Sequence, residues 1–171
     1  SDSAKQTLDK ALEALPAIVD THMHIVCKQE DNGCFINDRI FESLAHPVSN
    51  MRSQVMLSAL GASDLHQSDD QMVQRLYGLV KHFPKIPYHG WYLAFSAKHD
   101  EKTGEKLRSE SGLEVPNKYV EDVLAKFPTP STLVASLHPF QKDLSKQLVH
   151  LKDKGVRFIK VLPNSMGFAP D

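Results

Sequence analysis

The sequence is poor in cysteine, in tryptophan and in long apolar runs. Its 171 residues include 2 cysteines and 1 tryptophan. Two cysteines are too few for a disulfide framework, so the chain does not read as a small stapled scaffold. Cys27 and Cys34 lie seven residues apart. The expectation is free thiols in a reducing compartment. A disulfide across the short loop is one alternative. A Cys-x6-Cys ligand pair is another, although it matches no common zinc spacing. No apolar run approaches the ~20 residues that cross a bilayer, so no membrane partner is expected. Charge of one sign is also missing. There are 20 basic and 21 acidic residues, a formal net charge of -1, and no long single-sign run. That argues against a nucleic-acid or membrane-surface protein held by bulk electrostatics. The opening "SDSAKQTLDKALEALP" is charged and lacks the apolar core of a signal peptide, so a cytoplasmic location is expected; a segment already removed would leave no trace.

What is present is ordinary for a globular chain: 41% hydrophobic and 24% charged residues. The length fits one domain, 1–171, with a helix over 1–16 leading it. Leu8, Ala11, Leu12 and Leu15 recur at helical spacing, Ser3 can cap the start, and Pro16 stops it. "AIVDTHMHI" then reads as a strand. An irregular stretch runs from Cys27 to about Asn50, and helical patterns follow over Met51–Leu60 and Asp69–Phe83. "YHGWYLAFS" is strand-like, Ala97–Pro116 is a charged, exposed loop, and "NKYVEDVLAKF" is a helix with Asn117 as its cap. "STLVASL" is a strand. "QKDLSKQLVHLKDKG" is a helix with Leu144, Leu148 and Leu151 on one face and Gly155 at its end. "VRFIKVLP" is the last strand, and "NSMGFAPD" a loop. Strands alternating with helices predict an α/β fold with a parallel sheet and right-handed crossovers.

In such folds chemistry gathers at the carboxyl ends of the strands. The first strand ends with His22 and His24, the second runs toward His99 and Asp100, the third ends at His138, and the fourth carries Lys160. Chance alone places about 0.5 H-x-H pairs in a chain with this many histidines, so the spacing is weak by itself. On a strand, however, positions i and i+2 share a face, so two imidazoles can converge on one ion. Asp20 could share that face, either as an acceptor that orients a ligating ring or as a strand-end structural residue. Bland readings stand beside these: His-Pro is a natural turn, and a strand lysine can simply reach a carboxylate. His46, His66, His82, His89 and His150 read as surface or packing residues.

"VDTHMHI" resembles the first strand of the amidohydrolase superfamily, the TIM-barrel metal-dependent hydrolases, which opens with Asp-x-His-x-His. "VASLHPF" and "LKDKGVRFIKVLPNSMGFAPD" look like a little-characterised branch of it. The resemblance covers Ala17–Asp171 and implies the first four strands of a (β/α)8 barrel. It implies that His22 and His24 hold a divalent metal, zinc by preference, as one or two ions. Some branches of the family carry a strand-four lysine as a carbamate ligand and others leave it out of the metal site; in the first case Lys160 is that ligand. His138, at the end of the third strand, is the residue expected to face substrate. The reaction implied is attack of metal-activated water on an amide, ester, lactone or phosphoester of a small molecule. Rival readings are a metal-dependent decarboxylase of an aromatic or related acid, and a non-catalytic half-barrel. The family's later ligands, histidines after strands five and six and an Asp after strand eight, have no counterpart among these residues, so the chain reads as an N-terminal half. A half-barrel leaves two strand edges open, which admits a homo-oligomer.

Overall fold

A computed structural model describes residues 2–27, 29–37, 69–81, 86–127 and 129–170. In chain order the elements are helix α1 (Asp2–Glu13), strand β1 (Ile18–His24), strand β2 (Phe35–Ile36), helix α2 (Asp69–Val80) and strand β3 (Tyr88–Leu93). Strand β4 (Leu113–Glu114), helix α3 (Asn117–Leu124), strand β5 (Ser131–Ser136), helix α4 (Leu144–Asp153), strand β6 (Phe158–Lys160) and helix α5 (Pro163–Met166) follow. The expected helix at Met51–Leu60, and His46, His66 and His82, lie outside the described residues.

The main sheet has four parallel strands in the order β1-β3-β5-β6, so each strand joins beside the previous one. This is the α/β architecture that the alternating pattern predicts. One face carries the larger core: Ile25, Cys27, Cys34, Tyr92, Ala94, Val115, Val120 and Val123 are all buried together. A smaller cluster of Ala135, Leu137 and Leu151 sits under α4. Full burial of one such aliphatic side chain contributes about 1.5–3 kcal/mol, so these two clusters fix how the helices lie on the sheet. Gly90 marks a close approach within the sheet. A methyl group there would come within 2.7 Å of the Tyr92 ring and 3.0 Å of the Met23 sulfur.

Several local expectations are met or revised. Gly155 follows the Lys154 cap of α4 with a left-handed φ of 78°, its N–H donating to the Lys152 carbonyl, as a glycine past a helix C-terminus does. Leu144 and Leu151 pack inward, but Leu148 stays 43% exposed. Asn117 is not a helix cap: it is the first residue of α3, and its amide instead brackets Ser136, donating to the carbonyl and accepting from the N–H. α1 begins one residue before Ser3 and buries nothing. The loop Ala97–Pro116 is less exposed than expected. Ala97, Ser111, Glu114 and Val115 are buried, and β4 within it pairs antiparallel with β2. "NSMGFAPD" is not wholly loop either, because α5 occupies its start.

The cysteines also differ from the free-thiol expectation: Cys27 and Cys34 form a disulfide, with both sulfurs buried. It closes a loop that grips the start of α2. The Gln29 N–H and the Asn32 side chain both donate to the buried Asp69 carboxylate, at 3.1 and 3.0 Å. Arg108 donates to the Cys34 carbonyl and lies over the Phe35 ring. Finally, burial is not continuous across the sheet. Val19 on β1 is 55% exposed, and Phe158 and Ile159 on β6 are 38% and 41% exposed. The two outer strands therefore keep an open apolar flank.

Candidate metal centre

β1 does not run evenly into its histidines. Its register against β3 slips between Asp20 and Met23, placing one extra residue on β1. Such a bulge re-aims the side chains around it, and bulges recur beside functional sites. His22 sits within the bulge and His24 just past it; their rings lie edge to face with centroids 4.8 Å apart, and their Nε2 atoms come within 3.0 Å. Two nitrogens bound tetrahedrally to one zinc at about 2.0–2.1 Å stand roughly 3.3 Å apart, so the pair needs to open by only a few tenths of an ångström. Asp20 does not reach the rings. Its carboxylate accepts the His22 backbone N–H at 3.1 Å and approaches the Tyr88 hydroxyl at 3.5 Å. Burial, then the Asp20 charge beside it, pushes that phenol up to about 12.

Phe95, two residues past β3, organises the rest. Its ring lies against His24, with centroids 4.8 Å apart, and the Lys160 ammonium sits 3.2 Å from the same ring centroid. Lys160 thus arrives from β6 at the site that β1 starts. Among the described residues, the Lys160 amine and His24 Nδ1 are buried without a hydrogen-bond partner. Burial lowers Lys160 to about 8. Burial, then the positive charges of Lys160 and His22, lowers His24 to about 4, against a smaller opposing pull from the Leu93 backbone. Both shifts favour the neutral form, which is the form that coordinates a metal. The donor set therefore fits a borderline cation such as zinc: two imidazole nitrogens, and an amine within reach of losing its charge. Among the described residues no group of three His, Cys, Asp or Glu could hold an ion, so any site here is incomplete without Lys160 or a donor from elsewhere. Phe95 was not singled out in the sequence. The only signal is an aromatic residue closing "YLAF", and nothing in that pattern marks it from a core residue.

His138 is placed differently from expectation. It is wholly buried, Nδ1 accepts the Phe140 N–H at 3.1 Å, and Nε2 faces the Met166 carbonyl at 3.0 Å. That pattern assigns the proton to Nε2 and leaves neither nitrogen turned to a substrate. Phe140 and Phe168 pack around it. Its place is that of a pin holding the loop between β5 and α4 to the end of α5. His99 stacks on it with centroids 4.8 Å apart, and His99 Nδ1 donates to the Ala97 carbonyl. Asp100 closes a tight turn by accepting the Lys102 and Thr103 N–H groups. Neither reaches the His22–His24 pair. His89 bonds Thr132 across the sheet at 2.7 Å, as a packing residue would.

Two concavities flank the centre. One, of about 240 Å3, is bounded by His22, His24, Met72, Arg75 and Leu79, between the end of β1 and α2. The other, of about 350 Å3, shares Phe95 and is rimmed by His99, Lys106, Glu114 and Gln141. The charged loop does therefore border a cavity at the strand ends. Lys106 and the buried Glu114 form an ion pair there. No protein-family profile, curated protein or solved structure matches this chain.

Proposed function

We propose that the chain contributes the first strands of a (β/α)8 barrel of the amidohydrolase type and acts in metal-dependent hydrolysis of a small molecule. One observation carries the reading: the His22 and His24 Nε2 atoms converge to 3.0 Å, and the Phe95 ring that packs on His24 also carries the Lys160 amine, which is buried with no hydrogen-bond partner among the described residues. Three features support it. The strands add in sequential order in one parallel sheet, as they do in barrels. The donors stand at carboxyl ends of strands. The outer strands keep the open flank that further strands would cover.

In this reading His22 and His24 hold a divalent cation. Bound there, that cation would supply Lewis acidity and make water a nucleophile at neutral pH. Lys160, with its amine lowered to about 8, is a competent nucleophile toward carbon dioxide. Its nitrogen attacks the carbon and loses a proton, and the carbamate anion becomes a further oxygen donor. Phe95 excludes water from the amine and from one face of His24. The Asp20 carboxylate fixes the backbone on which His22 stands.

Metal analysis of the protein purified with zinc present is the direct test. The expected result is stoichiometric metal, lost in His22→Ala and His24→Ala variants, with a mass gain on Lys160 in bicarbonate. Retention below ~0.1 ion per chain overturns the reading. One ion bound with Lys160 unmodified would move the reading to the decarboxylase class.

A further inference from the structure

A second cavity of chemical interest lies in the helix layer, away from the histidines. It occupies about 380 Å3 between α2 and α3. Three aromatic residues line it: Tyr77 from α2, Tyr119 from α3, and Phe127 just beyond α3. The Tyr77 and Phe127 rings meet edge to face at 81°, with centroids 5.8 Å apart, and Phe127 meets Tyr92 in the core in the same way. Val73 lines the cavity too. Asp70, Asp122 and Lys126 line the same cavity. Lys118 already neutralises Asp122 at 2.6 Å, so Asp70 is the lining carboxylate not engaged by that ion pair. The negative field reaches the walls: after burial, the Asp69 and Asp70 carboxylates are what push the Tyr119 phenol up.

Aromatic side chains lining a cavity, with a carboxylate beside them, suit one kind of guest. Ring quadrupoles attract a cation, and most strongly one that gives up little hydration on entry. A sodium or magnesium ion would have to shed water for donors that are not gathered here, since the described residues hold no group of three acidic or metal-ligating side chains close enough. A methylated ammonium head has weakly held water and an apolar surface that matches the walls. The geometry points to the cavity between α2 and α3 as a binding site for a small organic cation bearing a quaternary or methylated ammonium group. Tyr77, Tyr119 and Phe127 would form the cage, and Asp70 would supply the nearby charge. This assignment does not depend on the metal centre.

The test needs no knowledge of the natural ligand. Choline and tetramethylammonium are titrated into the full chain, reading the Tyr77 and Tyr119 ring signals by nuclear magnetic resonance. A saturable shift of both rings is expected. The uncharged isostere 3,3-dimethylbutan-1-ol has the same shape, and should bind about tenfold more weakly. Tyr119→Leu should weaken choline by about tenfold, while Tyr119→Phe, which keeps the ring face, should stay within about twofold. Asp70→Asn should weaken it several-fold at low salt. The proposal is overturned if choline gives no saturable shift up to on the order of 50 mM. It is equally overturned if the uncharged isostere binds as well as choline. The isostere comparison uses the unmutated protein, so a variant that fails to fold leaves the answer intact.

Discussion

Two histidine pairs in this molecule have the same ring separation, 4.8 Å, and opposite chemistry. In the His22–His24 pair the Nε2 atoms point at each other and one buried nitrogen has no described partner. In the His99–His138 pair the backbone engages both nitrogens of His138 and one of His99. Ring proximity therefore says nothing about ligand potential. What separates the pairs is where the nitrogens' lone pairs and protons are already committed. Neighbouring backbone satisfies the second pair, and it becomes structure. The first pair sits on a bulged strand against a phenyl ring, and His24 Nδ1 has no hydrogen-bond partner among the described residues.

The largest expected effect contrasts the pairs directly. His24→Ala should lower zinc affinity by on the order of 100-fold or more, while His138→Gln should leave it within about threefold, by competition with a chromophoric chelator. Stability should respond in the reverse sense. His138→Ala orphans the Phe140 N–H and the Met166 carbonyl in a buried place, and should cost about 2–3 kcal/mol in urea unfolding. A comparable loss in His24→Ala would erase the contrast.

Acid should act through the first pair. His24 is lowered to about 4 in the folded chain, from an ordinary 6.5. Above 6.5 neither state carries the proton. Below it the unfolded chain binds the proton and the folded chain does not, so stability contributed by the neutral ring is lost as the pH falls from 6.5 to 4. Metal-free protein followed by thermal unfolding should show that decline, and His24→Gln should flatten it. The smallest effect concerns Lys160. Its buried amine lacks a described hydrogen-bond partner, so Lys160→Met should raise stability by roughly 0.5–1 kcal/mol despite losing the contact with Phe95, while weakening metal retention. A loss of stability instead would mean that the lysine is held by its surroundings as structure.

The strand–helix alternation was readable because each parallel strand is a short apolar run set between turn residues, and because Gly155 supplies the only backbone that ends α4 as it does. Convergence of His22 and His24 was readable from period-two geometry, although the strand reaches it through a bulge that no pattern announced. β2 and β4 escaped because each has two residues and exists through tertiary contacts, the Arg108 hydrogen bond to Cys34 and its stacking on Phe35. The use of Asn117 escaped for a related reason. An asparagine before a helical run looks like a cap, but the β5 backbone at Ser136 offers its amide both a donor and an acceptor. His138 misled because a strand-end histidine looks the same in sequence whether its ring nitrogens meet solvent or backbone.

The Cys27–Cys34 link has a consequence of another kind. Cys27 follows His24 by three residues, and the loop it closes carries the two donors that anchor Asp69 at the head of α2. Disulfides form and persist chiefly in oxidising compartments, whereas reduced thiols are the rule in the cytosol and nucleus. The covalent state of this one pair in protein taken directly from its source is therefore a postmark: it records the compartment in which the strand bearing the histidines matured.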